Sequence, residues 1–276
     1  MEICFIADFF ADRVLGGGEL NNEEVILELI QRGHNVHKIN SKTLTENDII
    51  KYDHFIVANF NLLTEKNKQK LQNKKYVIYE HDHKYLRHRN PALYKNFQAP
   101  KNKIINYDFY KNANAVFCQS NFHTTIVKNN LNLENIYNLS GNLWDVDTLE
   151  YIRKLSKVER TPACVIMDSP VAHKNTKGAI KFCELKKYEY VLVGPCSHRK
   201  FLNELSSHSK FVFFPLTPET LSRVIVEARM LGLDVITNKY VGATKEHWFK
   251  LKGAPLIDYI LSKRVEIVRT VEEKLQ

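Results

Sequence analysis

The sequence lacks the features that mark several classes of protein. Its five cysteines have no paired spacing, so neither a disulfide framework nor a zinc site is predicted, and a reducing cytoplasm is the expected location. No run of 18 apolar residues is present, so no membrane-spanning helix is predicted. The first residues lack the basic region of a signal peptide and have the pattern of a strand.

The composition is otherwise that of a globular protein. Of the 276 residues, 44% are hydrophobic and 26% are charged, and the length suits one large domain or two small ones. The net charge of +9 favours an anionic partner, such as a nucleotide, a membrane surface, a phosphorylated glycan or nucleic acid. A surplus of lysine in a sequence rich in Lys, Asn and Ile is the alternative explanation of this charge.

Short apolar runs alternate with polar stretches of helical character along the chain. The runs, each of strand length, are Ile3–Ala7, His34–Ile39, His54–Ala58, Tyr76–Tyr79, Ala115–Cys118, Ala163–Met167, Tyr190–Gly194 and Phe211–Phe214, and Val235-Ile236 opens one further buried strand. Apolar runs of this length are typical of strands buried on both faces. Their alternation with helices predicts an α/β protein with doubly wound parallel sheets.

Two glutamates follow the run Phe211–Phe214. Glu219 lies in the loop directly after it. Glu227 is separated from Glu219 by seven residues and lies in a helix expected to begin near Leu221 or Ser222. The free N–H groups of that helix start suit phosphate, and carboxylates suit sugar hydroxyls. Together they predict a nucleotide-sugar pocket. The alternative is that Glu227 pairs with Arg223 one turn earlier and that Glu219 is a solvated loop acid.

Three glycines and a histidine-rich loop are candidates in the first half. Gly16, Gly17 and Gly18 follow the first strand, where the lack of a Cβ lets backbone amides approach a phosphate. The loop after Tyr76–Tyr79 contains His81-Asp82-His83. Two histidines and one acid so close together cannot converge on a metal without a distorted turn, so we interpret this loop as polar side chains directed at a sugar.

A basic segment follows the histidine-rich loop. From His83 to Tyr107 the chain has no acidic residue, while six cations accumulate: Lys84, Arg87, Arg89, Lys95, Lys101 and Lys103. A basic segment with interspersed aromatic residues can meet phosphates or a membrane surface. We take Lys84, Arg87 and Arg89 as the candidates for binding an anionic partner; a solvated face is the alternative.

The second half resembles a known family. The stretch from Pro218 to Gly232, followed by Val235-Ile-Thr-Asn238, resembles the Glu-x7-Glu signature of retaining glycosyltransferases of the GT4 type. This resemblance implies the GT-B fold, in which two Rossmann-like domains with doubly wound parallel sheets face each other across a cleft. It also implies that Glu227 holds the ribose of the donor nucleotide and that Glu219 lies beside the transferred sugar.

The same resemblance implies roles for other positions. The Gly16–Gly18 turn would face the donor phosphates, as would Thr220, Leu221 and Ser222 at the helix start. His81, and after it Asp82, would lie near the reacting sugar. The family usually has Gly-Arg after the first strand of its second domain and a lysine a few residues later. Lys174 or Lys177 can supply that lysine, but Ser169 stands near the place of the arginine, for which Arg199 or Arg223 could substitute.

The resulting prediction is a compact glycosyltransferase that uses a nucleoside diphosphate sugar and needs no metal or other cofactor. Residues 1–158 would form the acceptor-side domain, 159–260 the nucleotide-sugar domain, and 261–276 a helix returning to the first domain. The stretch from Asn142 to about Arg160 is predicted to connect the two domains. The acceptor would be a glycan, a lipid-linked molecule or another anion, with peripheral membrane contact as one way to reach it. Three alternatives stay open: a glucosyltransferase of DNA bases, a sugar-nucleotide epimerase, and a nucleotide-binding protein without turnover.

Overall fold

The chain divides into two compact units in the computed structural model, which describes all residues 1–276. Unit 1 comprises Met1–Trp144 and Ser262–Gln276, and unit 2 comprises Asp145–Leu261. The functional division into an acceptor-side domain and a nucleotide-sugar domain stays a prediction.

Unit 1 contains a six-stranded parallel sheet with the strand order β2-β1-β3-β4-β5-β6. Helices connect the strands, as parallel pairing requires. The elements in chain order are β1 (Glu2–Ala7), α1 (Gly17–Gln31), β2 (Asn35–Asn40), α2 (Glu46–Lys51), β3 (His54–Val57), α3 (Glu65–Leu71), β4 (Lys75–Tyr79), α4 (Tyr107–Lys111), β5 (Ala115–Cys118), α5 (Asn121–Leu131) and β6 (Ile136–Asn138).

Unit 2 contains a four-stranded parallel sheet with the order β10-β9-β7-β8. Its elements are α6 (Val146–Leu155), β7 (Thr161–Met167), α7 (Thr176–Lys186), β8 (Tyr190–Val193), α8 (His198–Ser206), β9 (His208–Phe213), α9 (Arg223–Leu231), β10 (Asp234–Thr237) and the first part of α10 (Ala254–Leu275). No helix of the chain has both the length and the apolar character needed to cross a membrane.

The core of unit 1 lies on both faces of its sheet. In β1, Cys4 and Ile6 belong to one buried apolar cluster, while Ile3 and Phe5 belong to a second cluster on the other face. The second cluster includes Val268 from the C-terminal part of α10. This two-sided burial explains why the strands have continuous apolar runs instead of an alternating pattern.

The predicted α/β class with doubly wound parallel sheets is confirmed. Strand β6 was not predicted; it has only three residues and pairs with β5 at the edge of the sheet. The stretch from Asn142 to about Arg160, predicted as a connection, contains α6. Asp145 caps that helix, because its carboxylate accepts a hydrogen bond from the N–H of Thr148.

A buried arginine joins α10 to α1 within unit 1. The guanidinium of Arg264 donates hydrogen bonds to Glu24 at 2.8 Å, to Glu28 at 3.2 Å and to the carbonyl oxygen of Trp144. The Arg264 side chain is only 8% exposed, and those of Glu24 and Glu28 are 11% and 12% exposed. Removing one partner of such a group leaves the other charges desolvated and uncompensated, which is far more costly than losing an exposed pair.

We therefore expect Arg264→Leu to lower the free energy of unfolding of unit 1 by about 3–5 kcal/mol. Urea unfolding followed by far-UV circular dichroism measures the change. The matched control is Arg269→Leu on the same helix, which loses a pair with Glu273 whose side chains are 70% and 58% exposed. That control should cost less than about 1 kcal/mol. Equal effects of the two substitutions would contradict the role assigned to Arg264.

Candidate active site

Glu219 lies beyond the carboxyl end of β9, in a short extended segment that pairs with the chain after β10. Its N–H donates to the carbonyl oxygen of Tyr240 at 2.7 Å, and its own carbonyl oxygen accepts from the N–H of Gly242 at 2.9 Å. Two backbone hydrogen bonds therefore fix the direction of the Glu219 side chain. This edge of a parallel sheet is where open α/β proteins bind ligands.

Lys174 contacts Glu219, although 45 residues separate them in the chain. The Lys174 ammonium donates to Oε1 of Glu219 at 2.8 Å, and the side chains are 26% and 15% exposed. Lys174 ends a short 3₁₀ turn after β7, and this turn meets the loop after β9 through a hydrogen bond from the N–H of Leu216 to the carbonyl oxygen of His173. Two residues proposed on sequence grounds for donor binding thus form one ion pair.

The start of α9 differs from the sequence-based expectation of Leu221 or Ser222. The helix begins at Arg223, and Ser222 is its N-cap in the left-handed region, with φ at 76° and no capping hydrogen bond from its side chain. Its hydroxyl oxygen is buried and has no hydrogen-bond partner. A strained backbone and an unpaired buried hydroxyl at a helix N-terminus are features of a site prepared for an anionic ligand.

Glu227 is buried on α9, and the carboxylate contacts a residue that sequence reasoning missed. Nε2 of His198 lies 3.2 Å from Oε1 of Glu227, whereas Nε of Arg223 lies 3.9 Å from the same oxygen. The hydrogen bond to Glu227 raises the pKa of His198, outweighing the effect of partial burial. The helical pair with Arg223, the alternative interpretation of Glu227, is also present, with 3.9 Å between Nε of Arg223 and Oε1 of Glu227.

His198 was missed because its position gives little signal in the sequence. It is the first residue of α8, after an N-cap at Ser197 and beyond the carboxyl end of β8. The loop from Gly194 to Ser197 that follows an apolar run was the available clue. The loops after β7, β8 and β9 thus supply Lys174, His198 and Glu219 to the same edge of the unit 2 sheet.

The residues considered in connection with the missing arginine have local partners. The N–H of Ser169 donates to the hydroxyl of Thr176 at 3.1 Å, and the Ser169 hydroxyl accepts from the N–H of Val171 at 3.2 Å. The guanidinium of Arg199 stacks on the ring of Tyr151 at 4.6 Å. Of the two arginines proposed as substitutes, Arg223 lies 3.9 Å from the carboxylate of Glu227, whereas Arg199 contacts Tyr151.

In unit 1 the glycine turn lies against His81. Helix α1 begins at Gly17 with Gly16 as an extended N-cap. A Cβ atom added to Gly18 would lie 3.2 Å from Cγ of His81, which is closer than ordinary van der Waals contact. Glycine at this position therefore allows the turn and the histidine-rich loop to approach each other.

Both ring nitrogens of His81 are engaged. Nε2 lies 2.6 Å from the Oδ1 acceptor of Asn22, and Nδ1 lies 2.5 Å from the Nε2 donor of Gln119. With the side-chain amides of Asn22 and Gln119 in these orientations, Nε2 of His81 donates to Asn22 and Nδ1 accepts from Gln119. The ring also stacks on Tyr79 at 5.2 Å. These contacts fix the orientation of the His81 ring.

Asp82 belongs to a buried network of charges. The Lys84 ammonium donates to Glu80 at 2.6 Å and to Asp82 at 3.0 Å, and Tyr110 also donates to Glu80. Burial raises the pKa of Glu80. Burial would also raise the pKa of Asp82, but Lys84 and, more weakly, Arg89 outweigh it and lower the pKa to about 2. Asp82 is therefore an anion at neutral pH and a weak base.

Lys84 corrects one part of the prediction for the basic segment. Its side chain is 1% exposed and occupied by Glu80 and Asp82, so it does not contribute an exposed charge. The physical reason is that the fully buried carboxylate of Glu80 needs a cation. Arg87 and Arg89 are exposed, as expected for residues that meet an anionic partner.

His83 lies in the interior and not beside His81. Its Nδ1 lies 3.1 Å from the hydroxyl of Tyr85, and its ring meets that of His123 edge-on at 5.1 Å. Burial lowers the pKa of His83 to about 4. No group of three or more His, Cys, Asp or Glu residues in the chain is arranged to hold a metal ion.

Neither a family model nor a curated protein matches the chain, but solved structures do. It is similar to Anabaena Alr3699/HepE in complex with UDP and glucose, over 97% of this chain and 92% of that one, with 16% identity and a TM-score of 0.57. It is similar to the catalytic domain of starch synthase IV from Arabidopsis thaliana bound to ADP and acarbose, over 100% and 95%, with 11% identity and a TM-score of 0.61.

A third similar structure is an alpha-glucosyltransferase in complex with UDP-glucose and DNA containing an abasic site. The match covers 100% of this chain and 94% of that one, with 12% identity and a TM-score of 0.52. Identities this low carry information about the fold and not about the reaction. Together with the two parallel sheets, these similarities show that the chain has the GT-B fold.

Proposed function

We propose that the chain is a retaining, metal-independent glycosyltransferase that moves a sugar, in our assignment a hexose, from a nucleoside diphosphate sugar to an anionic acceptor. The observation that carries this proposal is the arrangement at the carboxyl edge of the unit 2 sheet. There Glu227 is buried against His198, Glu219 contacts Lys174, and the buried hydroxyl of Ser222 has no partner. This combination offers acceptors for sugar hydroxyls beside donors for phosphate.

The donor class is proposed from this site together with the similar structures. HepE was solved with UDP and glucose, and the starch synthase domain was solved with ADP. We assign Glu227 to the ribose hydroxyls and Glu219 to the hydroxyls of the transferred sugar. The diphosphate is assigned to Lys174 and to the segment Thr220, Leu221 and Ser222, with Ser169 and the Gly16–Gly18 turn as further donors.

In the proposed reaction the bond between the anomeric carbon and the donor phosphate breaks. The acceptor hydroxyl oxygen bonds to the same face of that carbon, and its proton passes to the departing phosphate oxygen. Lys174 and the N–H groups at the start of α9 stabilise the negative charge that develops on the diphosphate. We assign His81 and Asp82 to positioning the transferred sugar, because neighbouring side chains hold both groups in place.

The acceptor is proposed to be a glycan, a lipid-linked molecule or another anion, reached either in solution or by peripheral contact with a membrane. The exposed charges of Arg87 and Arg89 support this choice. A DNA-base glucosyltransferase is the second candidate, favoured by the net charge of +9 and by the similar structure that contains DNA. Duplex binding that weakens steeply with salt would support that candidate.

An epimerase and a nucleotide-binding protein without turnover are the other candidates for the same fold. A thermal-shift screen against UDP, GDP, ADP and TDP identifies the base, because a ligand that binds only the folded state raises the melting temperature. Incubating the matching nucleotide sugar without an acceptor then tests for epimerisation. Release of nucleoside diphosphate only when an acceptor is present supports transfer.

We expect Glu227→Gln to weaken binding of the matching nucleoside diphosphate by about 1–3 kcal/mol, because a charge-assisted hydrogen bond to the ribose is lost. Isothermal titration calorimetry measures the change. The control is Glu184→Gln, which alters an exposed acid on α7 and should leave affinity unchanged. NMR titration of His198 reports on the site itself, because the pKa of His198 should fall when Glu227 loses its charge. Unchanged nucleotide affinity together with a lower pKa of His198 would assign Glu227 to structure alone.

We also expect nucleotide binding and turnover to survive treatment with EDTA. The basis is that no group of three or more His, Cys, Asp or Glu residues is arranged to hold a metal ion. The only Asp-x-Asp pair is Asp145 and Asp147, and Asp145 caps α6. Activity that EDTA abolishes and Mn²⁺ restores would overturn the metal-independent mechanism. Mg²⁺ added without prior chelation serves as the reference for nonspecific salt effects.

A further inference from the structure

A cavity of about 520 Å³ lies in unit 1 beyond the carboxyl ends of β3 and β4. We call it the basic cavity, because four of its ten lining residues are cations and one is an acid. The cations are Lys68, Lys84, Arg87 and Arg89. The cavity has the volume of a typical small-molecule site, which lies between about 300 and 1,000 Å³.

The inner wall of the basic cavity holds two desolvated ammonium groups. The Lys68 side chain is 9% exposed and that of Lys84 is 1% exposed. Both ammonium groups approach the ring of Phe60, Lys68 at 5.8 Å and Lys84 at 5.4 Å from its centroid. Lys68 also donates to Glu65 and to Oδ1 of Asn106. These contacts fix the two cations before any ligand arrives.

The outer wall of the basic cavity carries two arginines that a ligand can use. The guanidinium of Arg87 is exposed and makes no hydrogen bond or ion pair within the chain. Arg89 has a left-handed backbone, with φ at 49°, and its side chain contacts Asp82 at 3.2 Å. That ion pair is exposed, and exposed pairs contribute little, so Arg89 can turn to a ligand at small cost.

One cation of the basic cavity has no acidic partner. Glu65, Glu80 and Asp82 contact Lys68, Lys84 and Arg89, whereas no acid contacts Arg87. No acidic residue occurs between His83 and Tyr107 to supply another negative charge. An anion is therefore the ligand that the basic cavity lacks.

We propose that the basic cavity binds the phosphate group of a small phosphorylated acceptor, such as a sugar or polyol phosphate. This inference rests on the proposed function, since it names the class of acceptor. A phosphate offers three oxygens and close to two charges, which match Arg87, Arg89 and Lys68 together. Phe60 and Leu86 add apolar surface for the carbon skeleton. A cavity of about 520 Å³ has room for a small molecule, whereas a duplex binds along an extended surface.

Calorimetry with glucose 6-phosphate as the probe, and glucose as its uncharged counterpart, tests the proposal on the whole chain. We expect glucose 6-phosphate to bind with a stoichiometry of one, and glucose to bind at least about tenfold more weakly, the factor that 1.4 kcal/mol represents. Arg87→Gln should weaken binding of the phosphate by about tenfold or more, since it removes a charge-assisted contact. Lys101→Gln, which removes an exposed cation outside the cavity lining, should leave binding unchanged.

Two results would overturn the proposal: equal affinity for glucose and glucose 6-phosphate, and equal effects of Arg87→Gln and Lys101→Gln. Vesicles of phosphatidylcholine with and without phosphatidic acid, and a short DNA duplex, are the competing probes. Displacement of glucose 6-phosphate by inorganic phosphate, with no displacement by the vesicles or the duplex, supports a small soluble ligand. Arg87-dependent binding of the vesicles or the duplex without binding of glucose 6-phosphate contradicts it.

Titration of the nucleoside diphosphate separates this inference from the proposed function. Arg87→Gln should leave nucleotide affinity within about twofold, because the assigned nucleotide contacts are on unit 2 and the glycine turn. Nucleotide binding without binding of glucose 6-phosphate would refute the phosphorylated acceptor and leave the proposed function in place. Binding of glucose 6-phosphate without binding of any of the four nucleotides would refute the proposed function and leave the phosphate site.

Discussion

The histidine-rich loop of unit 1 depends on the ion pairs that the buried Lys84 ammonium makes with Glu80 and Asp82. This ammonium compensates the fully buried carboxylate of Glu80 at the end of β4 and also holds Asp82. The side-chain amide of Asn106 donates to the backbone carbonyl oxygen of Lys84, which joins the end of the basic segment to its start. Burying an ion pair often costs as much free energy as the attraction returns. The contribution of the Lys84 ion pairs is geometric, because this one cation fixes both the loop that carries His81 and one wall of the basic cavity.

Glu219 and Glu227 in unit 2 each contact a basic side chain, but the two carboxylates differ in exposure. Glu227 is buried and contacts a histidine, whereas Glu219 is partly exposed and contacts a lysine. Lysine is a flexible point charge, and in the proposed mechanism it can contact Glu219 and a diphosphate together. His198 has a pKa that Glu227 raises, so the charge of that pair varies with pH. The contribution of the His198–Glu227 pair to the free energy of unfolding is full at low pH and declines as the pH rises through the pKa of His198 in the folded protein.

The fold was predictable from the sequence because parallel strands buried on both faces leave continuous apolar runs, as in β4 and β5. The carboxyl-edge positions of Glu219 and Lys174 followed from the same pattern. Their ion pair did not, because it depends on how the turn after β7 meets the loop after β9. The burial of Lys84 was also hidden, since in sequence it belongs to a run of cations. Long-range contacts, such as that of Tyr110 with Glu80 and that of Phe60 with Lys84, show that this part of the loop faces inward.

Burial therefore separates the basic segment into two kinds of cation with different consequences. Neutralising Lys84 would leave Glu80 uncompensated in the core, so a loss of acceptor binding in such a variant would be confounded with a loss of stability. Arg87 and Arg89 can be changed without that cost. Arg89 also shares Asp82 with Lys84, so a phosphate that attracts Arg89 would remove one of the two cations that lower the pKa of Asp82. Lys84 would remain, and Asp82 would stay ionised. The loop beside the glycine turn would thus keep its geometry and its charge while the acceptor binds.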